Sequence, residues 1–289
     1  MRIDKRVKAL FPYLSNSQIE EALRSGLVKK PDGGLLKKGD KDDIALDTQD
    51  LQKEIALSKQ GNPNLNVSVV YEAPGFWVVD KPAGVATHPL RISDRNTLTH
   101  WAISRAPSIL KEFLDFQPTI TPHRLDTDTS GLVVVARNVE EFERWRHRFS
   151  NAKVTKNYLA WCWGSPNSNR FECHSAIGHD PKNFGRMIAI ASGEKYAEPA
   201  LTADTFIEVK AKRADRFLAQ VHCTTGVTHQ VRVHLAALGF PLLGDSLYDT
   251  QFANRPYQGQ HHLLKASKII VESEGLTFEA DSSQFEKLF

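Results

Sequence analysis

The sequence predicts an α+β fold built on a largely antiparallel sheet. Short runs rich in β-branched residues outnumber the segments with helical periodicity, and many of these runs are joined by tight turns. They do not alternate regularly with helices, as the strands of a parallel βαβ fold would. With 289 residues, the chain is long enough to form one large domain or two unequal ones around a sizeable core.

Residues 1–50 are predicted to form a small module of their own. Its first helix is basic, and a second helix should start near Ser17, which stands three residues before Glu20 as in a capping box. A short hairpin should follow, with its turn at 31–34. This combination suits an appendage that contacts phosphate groups, although a solvated basic face would produce the same pattern. The bases concerned are Arg2, Lys5, Arg6 and Lys8.

Residues 51–66 are predicted to be a linker, because they contain QGNPNLN and Gly, Pro and Asn favour turns. The main domain is expected to cover 67–289. We expect Asn138 to cap one of its helices, and Thr228 and Gly239 to bound another. The strands are expected at 67–71, 76–79, 132–136, 157–163, 202–209, 217–223, 269–271 and 276–278, and the helices at 98–106, after residue 138 and at 229–238.

Charge and composition exclude several classes of protein. The formal net charge is +3, and acids are concentrated near the C-terminus, which leaves the rest mildly basic and compatible with an RNA partner. No apolar run approaches the roughly 20 residues of a membrane-spanning helix, and the N-terminus lacks the apolar core of a signal peptide. The three cysteines form no CxxC motif, so a soluble protein in the reducing cytoplasm is expected.

The stretch HRLDTDTSG at 123–131 concentrates charged and hydroxyl side chains directly before the apolar run at 132–136. Loops that lead into a rigid strand often carry catalytic groups, although a plain surface turn uses Asp and Thr in the same way. Either Asp126 or Asp128 is a candidate nucleophile or general base. An ionised carboxylate in a partly closed pocket needs a cation within about 4–6 Å, and Arg124 is the nearest in sequence.

Two residues far along the chain are candidates for the same site. Arg232 lies near the start of the predicted helix at 229–238, beside its apolar stripe, so a half-buried guanidinium there needs an acidic partner. Tyr158 lies in a strand of mostly buried residues. A tyrosine in such a place usually makes a hydrogen bond through its hydroxyl, most often for structural reasons.

The sequence favours neither a metal site nor nucleotide hydrolysis. His229 and His234 are five residues apart, rather than the three or four that place two ligands on one helical face, and no HExxH motif occurs. No glycine-rich loop leads into Gly-Lys-Ser/Thr. We therefore expect no metal.

Four segments resemble the RluA family of RNA pseudouridine synthases in their order and spacing. HRLDTDTSG is close to the family signature histidine-arginine-leucine-aspartate-x-x-threonine-serine-glycine, and the resemblance extends over about 67–289. It implies a bilobed, mainly antiparallel fold with the active site in the cleft between the lobes, and an isomerase that uses no cofactor. The other segments are KPAGVATHP (81–89), KNYLAWCWG (156–164) and VTHQVRVHLAALGFPLLGDSLYD (227–249).

The resemblance implies a role for each candidate residue. Asp126 resembles the catalytic aspartate, and Arg232 resembles the basic residue that pairs with it. Tyr158 resembles the tyrosine that stacks on the target base, and Arg124 the arginine that enters the RNA stack when the uridine is flipped out. Two basic faces would hold phosphates, through Arg2, Lys5 and Arg6 and through Arg144 and Arg148.

The N-terminal module resembles the S-four type of RNA-binding domain in RIDKRVKAL, LSNSQIEEALRSGLV and KKGDKDDI. It differs in KKPDGG, where that family usually has a valine-asparagine-glycine turn. Such a module is typical of the rRNA-modifying members, so the expected partner is structured RNA, preferably large-subunit rRNA, with tRNA as the alternative. A monomeric enzyme is expected.

Two positions depart from the pattern of the RluA family. Val227 stands where arginine is usual, which leaves the choice of RNA open, and Lys265 stands where histidine is usual. Two other functions fit parts of the sequence. A glycoside or nucleoside hydrolase would use Asp126 and Asp128 as a carboxylate pair roughly 5–10 Å apart. A non-catalytic RNA-binding factor would keep its cellular role without Asp126.

Overall fold

Nine strands of the described part of the chain form one sheet. The computed structural model describes residues 1–40, 45–113, 119–191, 193, 196 and 199–289. The strands are β1 (Ser68–Glu72), β2 (Phe76–Lys81), β3 (Ser130–Ala136), β4 (Thr155–Trp163), β5 (Arg170–Cys173), β6 (Ala176–Asp180), β7 (Asn183–Ile190), β8 (Thr205–Lys212), β9 (Arg216–Cys223), β10 (Leu264–Val271) and β11 (Leu276–Glu279). The helices are α1 (Ile3–Leu10), α2 (Asn16–Arg24), α3 (Gln49–Ser58), α4 (Leu98–Arg105), α5 (Ile109–Glu112), α6 (Val139–Ser150), α7 (Gln230–Ala237) and α8 (Ser283–Glu286).

The strand order across the sheet is β1-β2-β3-β10-β4-β9-β8-β5, and β11 pairs with β10 off this path. Strands β6 and β7 form a separate hairpin. Among the described strand pairs, only β3 and β10 run parallel, and they share just the two pairs Ser130–Lys265 and Gly131–Ala266. The predicted α+β class with a mainly antiparallel sheet is confirmed.

Strand β3 is buried on both faces, which explains its continuous apolar sequence. Val133 belongs to a core that includes Tyr158 of β4 and Val231 of α7. Val134 belongs to a second core with Trp145 of α6. Because successive side chains of a strand point to opposite faces, α7 and α6 lie on opposite sides of the sheet.

Helix caps follow the sequence with one shift. Asn138 caps α6 as predicted, because its side chain accepts a hydrogen bond from the backbone N–H three residues on. In α2 the capping box is formed by Ser15 and Gln18, so the prediction of Ser17 and Glu20 is wrong. Ser15 is the N-cap residue because its extended backbone lets the hydroxyl reach the free N–H groups of the first turn.

Helix α3 contradicts the irregular linker predicted at 51–66. Leu51 and Ile55 are four residues apart on one side of this helix, and both are buried in a core shared with α1 and α2. The polar residues between them hid this periodicity in the sequence. Of the predicted linker, 59–66 remains outside the helix.

The hairpin predicted after α2 forms no regular strand among the described residues. Lys29 makes isolated bridges to Leu35 and to Asp47. Residues 41–44, which belong to the KKGDKDDI match, lie outside the described residues.

The N-terminal core is continuous with the main domain. Ile92, from the loop before α4, is fully buried within that core. The backbone N–H of Ile92 donates to Glu21 of α2 at 3.1 Å, and a salt bridge joins Arg95 to Glu54 of α3. The two parts of the chain therefore share apolar contacts and ion pairs.

Strands β5, β6 and β7 were not expected from the sequence, because charged residues and glycine interrupt their apolar pattern. No helix in the described ranges is long and apolar enough to cross a bilayer.

Candidate active site

The loop at 124–129 leads into β3 and is held from the neighbouring segment 81–87. The Thr87 hydroxyl donates to the carbonyl of Leu125 at 2.8 Å, and the Gly84 N–H donates to the carbonyl of Thr127 at 2.9 Å. These bonds satisfy backbone groups that a free loop would leave to water, so the acids of the loop are held in place.

Lys81 supports the same loop from below. Its ammonium is fully buried and donates to the carbonyls of Pro82, Val85 and Thr127 at 2.6–3.1 Å. Burial lowers the pKa of Lys81 to about 8, against the opposing effect of Asp126 and Asp128. A buried lysine with three carbonyl acceptors joins segment 81–87 to the acidic loop.

Asp126 meets Arg232 across the cleft. Nη1 of Arg232 lies 2.9 Å from Oδ2 of Asp126, although 106 residues separate them. The acidic partner predicted for Arg232 is therefore present. Burial disfavours the charge of Arg232, but its two carboxylate partners raise its pKa above the ordinary value.

The second partner of Arg232 is Asp245, which is 1% exposed. Its oxygens accept from Nε at 2.8 Å and from Nη2 at 3.0 Å, in a bidentate pair. The backbone N–H groups of Leu247 and Tyr248 also donate to Asp245. Burial alone would raise the pKa of Asp245, but the hydrogen bonds and charge of Arg232 outweigh it and lower that pKa.

The two loop acids have different partners. Oδ1 of Asp128 lies 2.8 Å from Nδ1 of His261, on a side chain that is 42% exposed. Asp126 lines the cleft with Arg232. Asp126 is therefore the loop acid that lines the cleft, which agrees with the choice implied by the resemblance, whereas the residue pattern alone left both acids open.

His229 lies beside Asp126 at the start of α7. His229, and not the predicted Thr228, is the N-cap residue of α7, so that prediction is wrong. The backbone φ of His229 is 58°, a left-handed conformation that is strained for a histidine. Nδ1 of His229 lies 2.7 Å from the Tyr248 hydroxyl, whose oxygen accepts from the N–H of Met187. We assign the hydroxyl proton of Tyr248 to this bond, which leaves the proton of a neutral His229 on Nε2, 3.7 Å from Asp126.

Tyr158 forms part of the cleft wall and is 9% exposed. It lies on β4, next to β10 at the centre of the sheet. Burial raises the pKa of Tyr158 above its ordinary value, and the nearby Cys223 and Asp126 add to this effect. The hydroxyl therefore stays protonated at neutral pH, and the ring is a neutral, rigid surface.

These side chains line one open cleft. Asp126, Tyr158 and Arg232 meet there, and the exposed Arg124 stands at its mouth. Val227, at the position that departs from the family pattern, also lines it.

The remaining bases predicted to bind RNA lie elsewhere. Arg2, Lys5 and Arg6 belong to the N-terminal module. Arg144 is exposed on α6 and paired with Glu140 and Glu141, on the sheet face opposite α7.

The prediction that Arg148 is exposed is wrong. The residue is 9% exposed, and its guanidinium binds both oxygens of Glu274 at 2.5–2.7 Å. It also lies over the ring of Trp145, 4.5 Å from the centroid. Arg148 thus joins α6 to the turn before β11.

Several residues of the site could not be assigned a role from the sequence. Asp245 and Tyr248 stand in GDSLYD, a segment that was noted without a role for either. Lys156 stands in KNYLAWCWG, two residues before Tyr158 on the same face of β4, and also lines the cleft. A polar residue in a strand of buried residues was the available signal.

Lys265, which stands where the family usually has histidine, forms an ion pair within the sheet. Its ammonium lies 2.7 Å from Oδ2 of Asp80, across the sheet from β10 to β2. It is not among the residues that line the cleft.

The resemblance to the RluA family implies a particular arrangement of the site. An aspartate is paired with a buried arginine and shares the cleft of a mainly antiparallel α+β fold with a buried tyrosine. Residues 75–237 match the profile of the RNA pseudouridylate synthase family. The match covers more than half of the chain, and the chain therefore belongs to this family of isomerases that act on RNA.

Relatives extend the match beyond this segment. A ribosomal large subunit pseudouridine synthase C of Rickettsia conorii is 31% identical over 290 residues, covering 94% of this chain and 89% of the relative. An RNA pseudouridine synthase of Bacillus subtilis is 29% identical over 221 residues, covering 74% of this chain and about two thirds (66%) of the relative. The solved structure of human RNA pseudouridylate synthase domain containing 1 has a TM-score of 0.59 at 28% identity, covering 74% of this chain and 82% of that one.

Proposed function

We propose that this protein is an RNA pseudouridine synthase that isomerises specific uridines in large-subunit rRNA. The observation that carries the proposal is the pairing of Asp126 with Arg232 opposite Tyr158 in one cleft. Family membership supports the reaction, and the name of the rickettsial relative supports the choice of RNA. Transfer RNA is the alternative substrate.

The reaction needs a carboxylate at the sugar and a surface that retains the base. Asp126 attacks the sugar or removes a sugar proton, and the glycosidic carbon–nitrogen bond breaks. The base rotates while Tyr158 holds it by stacking. Its carbon 5 then bonds to the sugar carbon as the bond from Asp126 breaks or, in the other route, as Asp126 returns the sugar proton. The proton on carbon 5 is then lost and one is gained at the freed nitrogen, so nothing leaves the site and no water is consumed.

The target base must leave the RNA stack before it reaches the cleft. Unstacking costs a few kcal/mol, and a side chain that refills the gap offsets part of this. Arg124 is exposed at the mouth of the cleft, two residues from Asp126. Its planar guanidinium stacks well on bases, so we assign this insertion to Arg124.

Residues 1–50 serve as the S-four type RNA-binding domain in this proposal, ahead of a catalytic domain at 67–289. The phosphates of structured RNA would meet the exposed Arg2, which directly precedes α1, and the exposed Lys5 within it, with Arg6 beside them. Such contacts make binding weaken as salt rises. The enzyme would act as a monomer in the cytoplasm, without a cofactor.

The first test replaces the cleft acid. Asp126→Asn keeps the size of the side chain and removes its charge, so we expect pseudouridine formation to fall at least about a thousandfold while RNA affinity changes little. Activity is measured by pseudouridine mapping of rRNA incubated with purified protein. The substrate RNA comes from cells that lack the gene.

Asp128→Asn is the matched control, because Asp128 lies in the same loop and bonds to His261. It should keep most of the activity. Equal losses in both variants would mean that the acids act as a pair, as in a hydrolase, and release of free uracil would confirm that reading. Substantial activity in Asp126→Asn would overturn the proposal.

A further inference from the structure

Lys156 presents a buried ammonium group to the cleft without a carboxylate partner. The residue is 8% exposed and lines the cleft wall two positions before Tyr158. Its Nζ donates to the backbone carbonyl of Thr225 at 2.6 Å. None of the salt bridges between described residues includes Lys156, and the hydrogen bond that its ammonium makes within this part of the chain is to a neutral carbonyl.

The two other buried lysines of the described chain have more hydrogen-bond acceptors or a carboxylate partner. Lys81 donates to three carbonyls, and Lys265 is paired with Asp80. An ammonium group has three protons to donate, and burying its charge without compensation is unfavourable. Burial accordingly lowers the pKa of Lys156, with a small opposing effect from Cys223. Lys156 is therefore the buried lysine with donor capacity left for a ligand in the cleft.

The position of Lys156 in the cleft indicates which part of the RNA it meets. Tyr158, Cys223 and Leu264 on the same wall are buried, whereas Gly226 near its ammonium and Arg124 at the mouth are exposed. In a flipped nucleotide the phosphates stay with the strand outside, and the base enters the pocket. The buried ammonium is thus placed for the base and not for the backbone.

We propose that Lys156 binds a carbonyl oxygen of the flipped uracil and stabilises the negative charge that the base acquires during the reaction. This inference rests on the proposed function. When the glycosidic bond breaks, its electron pair stays with the base and spreads from the ring nitrogen onto the two carbonyl oxygens. Lys156 donates a hydrogen bond to one of these oxygens and keeps its protons. The negative charge of the base is neutralised when its electron pair forms the bond from carbon 5 to the sugar.

The loop at 224–228 leaves room for this ammonium. A Cβ placed on Gly226 would lie 3.0 Å from Nζ of Lys156. A side chain at 226 would therefore move the ammonium while leaving the lysine itself intact. Cytosine carries an amino donor where uracil has one of its carbonyl acceptors, so the contact also favours uracil if it is made there.

The test compares Lys156→Met with the wild type on an RNA that carries one mapped target uridine. We expect the single-turnover rate at saturating enzyme to fall at least about a hundredfold, with RNA affinity changed less than about threefold. Lys156→Arg keeps the charge and should recover part of the rate. Lys153→Met, at an exposed position three residues earlier, should match the wild type.

Substrates with 2-thiouridine or 4-thiouridine at the target identify the oxygen, because sulfur is a poor hydrogen-bond acceptor. One of the two should slow the wild type, and the same substitution should not slow Lys156→Met any further. If Lys156→Met does not fold, as judged by thermal melting, Gly226→Ala takes its place. That variant should lower the rate at unchanged affinity.

Two outcomes would overturn the inference and leave the proposed function intact. In the first, the wild type is active and Lys156→Met has the same single-turnover rate, or each thio-substituted RNA slows both proteins by the same factor. In the second, the variant loses RNA affinity and keeps its rate at saturation, which is the behaviour of a phosphate contact. A wild type that forms no pseudouridine in any RNA would overturn the proposed function itself.

Discussion

At Arg232, one guanidinium serves two carboxylates with different surroundings. Asp245 is 1% exposed on its side chain and takes the bidentate bond, whereas Asp126 is 21% exposed and takes a single one. The buried pair orients the guanidinium, and the remaining N–H is aimed at the acid of the cleft. Asp245 is thus a positioning residue in the proposed mechanism, because it acts on Asp126 through Arg232.

We predict that Asp245→Asn lowers kcat about ten- to a hundredfold with little change in KM, because Arg232 loses its orientation and not its charge. Steady-state kinetics on the mapped RNA measures both constants. Asp249→Asn is the matched control, since Asp249 is a buried acid paired with Arg255 at 3.0 Å and is not among the residues that line the cleft. Asp249→Asn should lower the stability of the protein without lowering kcat. Equal losses of kcat in the two variants would contradict the role of Asp245.

At the scale of elements, helix α6 shows how one periodic pattern combines structural and exposed charges. Trp145 is fully buried against the sheet, and Arg148, three residues on, lies over it and binds Glu274. Arg144 is half-exposed and paired within the helix. Residues three apart lie on one side of a helix, so Arg148 follows Trp145 towards the core.

We predict that Arg148→Met destabilises the fold by about 1–3 kcal/mol, because it removes a buried guanidinium that packs on Trp145 and binds Glu274, and that it does not change RNA affinity. Urea denaturation and filter binding measure the two effects. Arg144→Met should cost at most about 0.5 kcal/mol, since exposed pairs contribute little. If Arg144 contacts a phosphate as proposed, that variant lowers the slope of affinity against salt by about one. The reverse pattern would mean that Arg148 is the RNA contact.

At the scale of the whole molecule, the N-terminal module shares its core with the main domain. Ile92 is buried among α1, α2 and α3, and His100 of α4 lies 3.1 Å from the carbonyl of Ser58. Deleting residues 1–60 would expose Ile92 and leave Arg95 and His100 without these partners. Truncation therefore mixes a loss of stability with any loss of RNA binding.

A charge change in the full-length protein separates the two effects. We predict that Lys5→Glu combined with Arg6→Glu weakens binding to structured RNA at least about tenfold at low salt, because α1 then repels phosphates. The single-turnover rate at saturation should stay within about twofold of the wild type. Unchanged affinity at every salt concentration would contradict an RNA-binding role for the module.

The elements that could be predicted from sequence are those governed by local patterns. The buried run of β3, the Asn138 cap of α6 and the hairpin of β8 and β9 each follow from neighbouring residues. Strands β5 to β7 and helix α3 could not be predicted, because tertiary contacts override their weak periodicity. The capping box of α2 was predicted two residues too late. Ser15 and Ser17 are each followed three residues later by Gln or Glu, so the local pattern does not distinguish them.

The sequence by itself determined the class of fold, the four motifs and the loop that would carry an acid, because these depend on residues close together in the chain. The resemblance already pointed to Asp126, but only the tertiary structure gave the physical difference between the two acids, since Asp126 bonds to Arg232 and Asp128 to His261. The tertiary structure also placed Asp245 behind Arg232 and left Lys156 without a carboxylate partner among the described ion pairs. Such partnerships join residues far apart in the chain, and their distances depend on how the strands and helices pack.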